Sequence, residues 1–217
     1  MPKTFSQLSL MAIVLVSLVF FVARATPWQG EQNQSATRSD SSSTGDENFD
    51  KMMSVLTHKR CVNCHPSDGV PKQGEDSHPH YFGIKRGKDD SDQGGNEGFE
   101  ATKCNTCHQA ENNEFSGVPG APDWSLAPES MRWAGLSPAE IAESMLDPKR
   151  NGNRNHEQVM HHLTEHELVL WAWDPGVNAD GKTREPPPVP KDEYVAAVKQ
   201  WFEDGAKIPE DAKGAAK

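Results

Sequence analysis

Apolar side chains are in short supply in this chain of 217 residues: 35% are hydrophobic, 7% are aromatic, and 16 residues are proline. That argues against a large core made from polypeptide alone, so something else is expected to fill the middle of the fold. Positive charge is scarce too. Lys and Arg number 22 against 32 Asp and Glu, a formal net charge of −10, and such a surface repels nucleic acid and anionic lipid. The expected partner is a protein with a basic docking patch, held more weakly as salt rises. No unbroken apolar run reaches the roughly 20 residues that cross a bilayer comfortably. No strand alternation competes with the helical patterns, and no molybdenum or flavin site signature is present.

What is there begins with a leader. Lys3 gives a positive start, Leu8 to Val22 is apolar over about 15 residues, and Ala23-Arg24-Ala25 has the small-x-small form of a cleavage site, so residues 1–25 read as a signal peptide. Export to the periplasm follows, with membrane attachment only if the leader stays on as an anchor. Loss of Lys3 and Arg24 would take the charge from −10 to −12. Residues 26–45 are polar and read as a disordered tether. One domain is expected over 46–209 and a flexible tail over 210–217.

Four cysteines in an exported chain suggest two disulfides, but their spacing suggests otherwise. Cys61-Val62-Asn63-Cys64-His65 and Cys104-Asn105-Thr106-Cys107-His108 are both C-x-x-C-H. Two thiols three positions apart reach the two vinyl groups on one porphyrin edge, and the adjoining imidazole meets the iron from the proximal side. With 9 histidines in 217 residues, both pairs gain a trailing histidine by chance in roughly one sequence in 600. A zinc ribbon wants about 15–20 residues between its pairs, fewer than separate Cys64 from Cys104. Two covalently bound haem c groups are therefore expected, with His65 and His108 as proximal ligands, and their apolar plates would supply the missing core.

The remaining patterns are helical, and the expected fold class is all-α and loop-rich, with cytochrome c-like helices packed around two covalently attached haems. Asp46 can cap a helix whose apolar positions Phe49, Met52, Met53 and Leu56 lead into Cys61. Gly69 to Gly98 reads as a long loop. Ser137-Pro138-Ala139-Glu140 is a capping box, and Asp147-Pro148 stops that helix. A second box is expected at Thr164 and Glu167. Pro186 to Pro190 reads as an extended linker, and Tyr194, Val195, Val198, Trp201 and Phe202 share one face of a last helix closed by Gly205. The five domain tryptophans, Trp124, Trp133, Trp171, Trp173 and Trp201, are expected mostly against porphyrin faces and edges.

Each iron keeps one further axial position for histidine, methionine or nothing. His58, His78, His80, His156, His161, His162 and His166 compete with Met131 and Met160. His162, His80 and Met131 are the distal candidates, in that order: His162 precedes the Trp-rich run, His80 lies on a proline-stiffened loop able to fold back over the first haem, and Met131 follows the second motif. At least one bis-histidine haem is expected.

Several elements recur in a characteristic order: His78-Pro79-His80, Arg86-Gly87, the second C-x-x-C-H, Pro119-Gly120-Ala121-Pro122 with Trp124, Leu126-Ala127-Pro128, Met131 with Trp133, Asp147-Pro148 before Arg150-Asn151-Gly152, and Leu168-Val169 with Trp171-Ala172-Trp173 and Pro175-Gly176. From about Asp46 to Pro209 the chain resembles a group of small bacterial dihaem c-type cytochromes, many labelled as cytochrome subunits of isoquinoline 1-oxidoreductase. The resemblance implies electron transfer outside the cytoplasm, as a shuttle or as the electron-accepting subunit of a dehydrogenase, with no catalytic residues of the chain's own. Nothing in these residues would bind an isoquinoline ring. A dihaem peroxidase-type enzyme or a haem-based sensor are the alternatives; the enzyme would need one iron with an open distal side.

Overall fold

The computed structural model describes residues 40–87 and 102–213, all within one unit of the chain. The expected leader, most of the tether and the stretch from residue 88 to Gly98 lie outside the described residues. The fold is mostly α-helical with one small two-stranded sheet, and no described helix is long and apolar enough to cross a membrane.

Helix α1 (Asp40–Leu56) starts before the expected cap at Asp46 and so takes in the end of the expected tether. It turns Phe49, Met52, Met53, Val55 and Leu56 inward, none more than 3% exposed, the three-and-four spacing that makes one apolar stripe. A tight bend leads to α2 (Lys59–Val62), which is capped by His58 and carries Cys61. The following segment, expected to be loop, contains an antiparallel hairpin of β1 (Lys72–Gln73) and β2 (His78–Pro79), with Lys72 opposite Pro79 and Gln73 opposite His78. Strands of two residues leave no alternation to read, and the turn depends on Gly74. Its φ is +76°, and a Cβ there would lie 2.7 Å from the His78 ring.

Helix α3 (Pro138–Leu146) has the expected capping box between Ser137 and Glu140 and ends at Asp147. Helix α4 (His156–Glu165) is capped by a second box, Asn155 with Gln158. The box expected at Thr164 does not form. Helix α4 runs through that residue, whose hydroxyl donates back to the Met160 carbonyl at 2.9 Å, so α5 (Glu167–Leu170) starts at His166 with no side-chain cap. Helix α6 (Lys191–Glu203) buries Tyr194, Ala197, Val198 and Trp201, and Gly205 at φ +89° lets Ala206 N–H return to the Trp201 carbonyl. Part of the expected flexible tail is ordered: α7 (Glu210–Lys213) packs on α3.

The core forms where α1 meets α6, α6 meets α4, and α3 meets α4, with Met131 and Trp133 from the intervening loop. Two tryptophans expected at a porphyrin belong to this core. Trp201 sits between Phe49 and Phe202 and donates to the Lys207 carbonyl at 2.7 Å; Trp173 packs on Tyr194 and donates to the Val189 carbonyl at 2.7 Å.

Candidate haem-binding site

The two C-x-x-C-H segments fold alike although only the first follows a long helix. In each, the histidine N–H returns to the carbonyl of the first cysteine at 3.0 Å, and the second cysteine N–H reaches the same carbonyl, at 3.0 Å from Cys64 and 3.2 Å from Cys107. One turn of chain thus sets both thiols and the imidazole on a common side. Burial, reinforced by Cys64, pushes the Cys61 thiol up to about 12; burial and then Cys104 push Cys64 up to about 11. Cys64 thus sits within electrostatic reach of the second motif.

Behind each histidine the arrangement repeats. The Nδ1 of His65 hydrogen-bonds to the Met131 carbonyl at 2.8 Å, and that of His108 to the Pro119 carbonyl at 2.8 Å. A carbonyl can only accept, so each ring carries its proton on Nδ1 and leaves Nε2 with a lone pair. Each imidazole also lies flat on a tryptophan: His65 on Trp133 at 3.6 Å between centroids and 10° between planes, His108 on Trp124 at 4.5 Å and 4°. Trp133 is locked in turn by an indole N–H donated to Ser144 Oγ at 2.9 Å. Trp171 stands edge-on to Trp124 at 4.9 Å and donates to Asn112 Oδ1 at 2.9 Å. These tryptophans thus orient imidazoles; their sequence positions carried no hint of which histidine they would meet.

The carbonyl behind His108 reaches it because residue 120 is glycine. A Cβ at Gly120 would lie 2.1 Å from the Glu111 carbonyl oxygen and 2.4 Å from that of Gln109, a distance no side chain tolerates.

His65 opens into a cleft whose empty space is about 1130 Å³, open solvent at its mouth included. Its wall includes Cys61, Cys64, Leu126, Met131, Leu163 and Trp171, and His162 and His166 enter from the far end of α4, their rings 4.8 Å apart. Burial, opposed by the Met131 hydrogen bond and aided by Arg86, takes His65 down to about 4; burial, then His166, Arg154 and His65, takes His162 down to about 3. Both are neutral donors at neutral pH. The His166 Nδ1 is buried with no partner, and its four-residue spacing from His162 was the sequence signal that it shares this face.

The other candidates are placed as follows. His58 accepts from Arg60 N–H as a helix cap. His161 is exposed and lies 3.3 Å from Glu165, and His156 lies against Phe202 at 5.8 Å. Met131 is 8% exposed; its carbonyl accepts from His65 Nδ1 while its side chain joins the core at the cleft wall. His78 spends both ring nitrogens inside the hairpin, Nδ1 at 2.6 Å from Asp76 and Nε2 at 3.0 Å from Gln73. His80 does not fold over the first motif as expected. Its ring stands 6.1 Å from that of His108, at 74° between planes.

A haem asks its protein for thiols, neutral imidazoles, an apolar slot and counter-charge for its carboxylates. The donors are described above for both motifs, and the slot for the first. Counter-charge would come from Arg86, which donates Nη2–H to the Ala127 carbonyl at 2.8 Å and holds Nε and Nη1 buried with no acceptor. Its charge is felt by His65, and it feels Cys104 in turn, so an unsatisfied guanidinium stands near both motifs. Among the described residues no group of three or more His, Cys, Asp or Glu side chains converges as a zinc or calcium ion would need. Comparisons with protein-family models, with curated proteins and with solved structures find no match to this chain.

Proposed function

We propose that the chain is an exported dihaem c-type cytochrome that passes single electrons between protein partners. The observation that carries this reading is the duplicated proximal assembly: a C-x-x-C-H turn, a carbonyl on the histidine Nδ1 and a tryptophan against the ring, built twice from unrelated stretches of chain. Such an assembly has no purpose for a disulfide and fixes a neutral imidazole with Nε2 outward, the form that binds iron.

In this reading Cys61, Cys64, Cys104 and Cys107 would hold the two haems covalently through their sulfurs. His65 and His108 would each ligate an iron, and His162 or its neighbour His166 would serve the first site from α4. The haem supplies one-electron redox chemistry; the chain excludes water, holds the imidazoles still and places positive charge at Arg86. Further imidazoles in the cleft of His65, from His162 and His166, and beside His108, from His80, favour transfer over peroxidase or sensor chemistry, which need an open distal side. A net charge of −10 directs docking to a basic patch on the donor or acceptor.

The test is the mass of the purified chain after denaturation together with its reduced optical spectrum. Two haem masses are expected, and a mass with one or none sinks the reading.

A further inference from the structure

We infer that His80, carried by the segment after the first attachment motif, is the distal iron ligand of the second, so that the two haem sites are interlocked. The inference rests on the dihaem reading above and adds which imidazole closes which site.

The argument starts with the hairpin. It hangs from the first motif: Lys72 N–H donates to the Asn63 carbonyl at 3.1 Å, and Asn63 Nδ2 donates to the Gly74 carbonyl at 3.3 Å. Glu75 in its turn pairs with buried Arg60 and, at 3.3 Å, with Lys59, both from α2. His80 leaves the end of β2 with its N–H bonded to the Pro71 carbonyl at 2.9 Å, so its backbone is fixed by the same hairpin. Asn63 belongs to C-x-x-C-H, which makes the strap an outgrowth of the first site.

The strap ends at the second site. The rings of His80 and His108 are 6.1 Å apart between centroids. An iron bonded to the outward nitrogen of each ring at about 2 Å sets the ring centres roughly 6 Å apart. The observed gap is too wide for face-to-face stacking; it lies within the range of an edge-on ring contact and is also the width that one metal ion fills. Rotation of each ring about its iron–nitrogen axis is free, so 74° between planes suits this arrangement. His80 Nδ1 faces the Tyr81 carbonyl at 3.0 Å, which leaves Nε2 as the donor, as in both proximal histidines. Its neighbour His78 cannot serve, since both its nitrogens are committed to Asp76 and Gln73.

The test uses the full-length, haem-loaded protein and reads haem mass and iron spin state. In His80→Ala, two haem masses are retained and half of the low-spin signal is lost; added imidazole restores it. In a Cys61→Ala/Cys64→Ala chain, which keeps only the second haem, His80→Ala removes the low-spin signal entirely. In a Cys104→Ala/Cys107→Ala chain it changes nothing. Should a single-haem chain not fold, His80→Met in the full chain decides: one of the two irons acquires iron–sulfur absorption. A His80→Ala protein with two haems that stays fully low-spin overturns the inference and leaves the dihaem reading intact, as does loss confined to the first haem. A wild-type protein without two haems overturns the reading itself.

Discussion

The indole of Trp133 lies flat on His65 and is held by one hydrogen bond to Ser144, both groups buried. This makes the posture of the proximal imidazole measurable through a double-mutant cycle. Trp133→Ala removes a large core side chain that is 3% exposed, at a cost of about 3–5 kcal/mol, or a fall in Tm of roughly 6–20 °C for a domain of this size. Ser144→Ala is subtler. Ser144 Oγ accepts the indole N–H at 2.9 Å while donating to the Ile141 carbonyl at 2.8 Å, so its loss strands a buried donor for about 1–3 kcal/mol. Once Trp133→Phe has removed that donor, Ser144→Ala strands nothing on the ring side and should cost much less. The coupling energy is expected to be about 1–2 kcal/mol, read from urea denaturation of the four proteins at unchanged m value. Costs that add to within about 0.5 kcal/mol would show that the hydrogen bond does not lock the tryptophan, and the account of how His65 is oriented would fall with it.

Other perturbations reach the remaining parts of the site. Cys61→Ala and Cys107→Ala should each lose part of the covalent haem stain in a denaturing gel while leaving the rest. Met131→Ala keeps the carbonyl that holds His65, so both irons should stay low-spin in the visible spectrum while stability falls by about 2–3 kcal/mol; His162→Ala should instead turn one iron high-spin, and retention of the low-spin form there, with its loss in His166→Ala, would transfer the role to His166. Gly120→Ala forces the segment bearing the Pro119 carbonyl off the backbone of Gln109 and Glu111, so the second haem's spectrum should broaden and the first should not change. In the chain without haem, His65 and His162 have folded-state values held to about 4 and about 3, below the ordinary 6.5. The unfolded chain therefore binds more protons on acidification, and their contribution to stability, complete above about pH 6.5, is lost as pH falls toward those folded values; a denaturation midpoint that holds steady down to about pH 4 would contradict this.

What was legible in the sequence is what is local. The C-x-x-C-H turns, the Ser137–Glu140 box, the stop at Asp147 and the inward stripe of α1 each depend on residues within one or two turns of each other, and each appears where expected. Thr164 failed because a helix already in progress offered its hydroxyl the Met160 carbonyl, while the real cap, Asn155 with Gln158, used the amide variant of the same box. His80 was one of three distal candidates in the sequence, but which motif it would stand beside was not legible: its place near His108 turns on a hairpin of two-residue strands, whose register depends on Gly74 and on contacts with Arg60 and Asn63. The tryptophans were recognisable as packing residues, yet only the tertiary fold assigns Trp124 and Trp133 to imidazoles and Trp173 and Trp201 to the core.

The imidazoles of His65 and His108 lean on backbone carbonyls, and His80 does the same through Tyr81. A carboxylate in that place would draw the Nδ1 proton toward itself and exchange it with solvent as the iron changed its charge. A carbonyl has no proton affinity to offer at any ordinary pH. At these three imidazoles, then, gaining an electron would not entail gaining a proton, and they would add no slope to the midpoint potentials against pH. The protein would behave as a plain conductor, whose driving force is decided by the partners at either end and is not adjusted by the acidity of the space it works in.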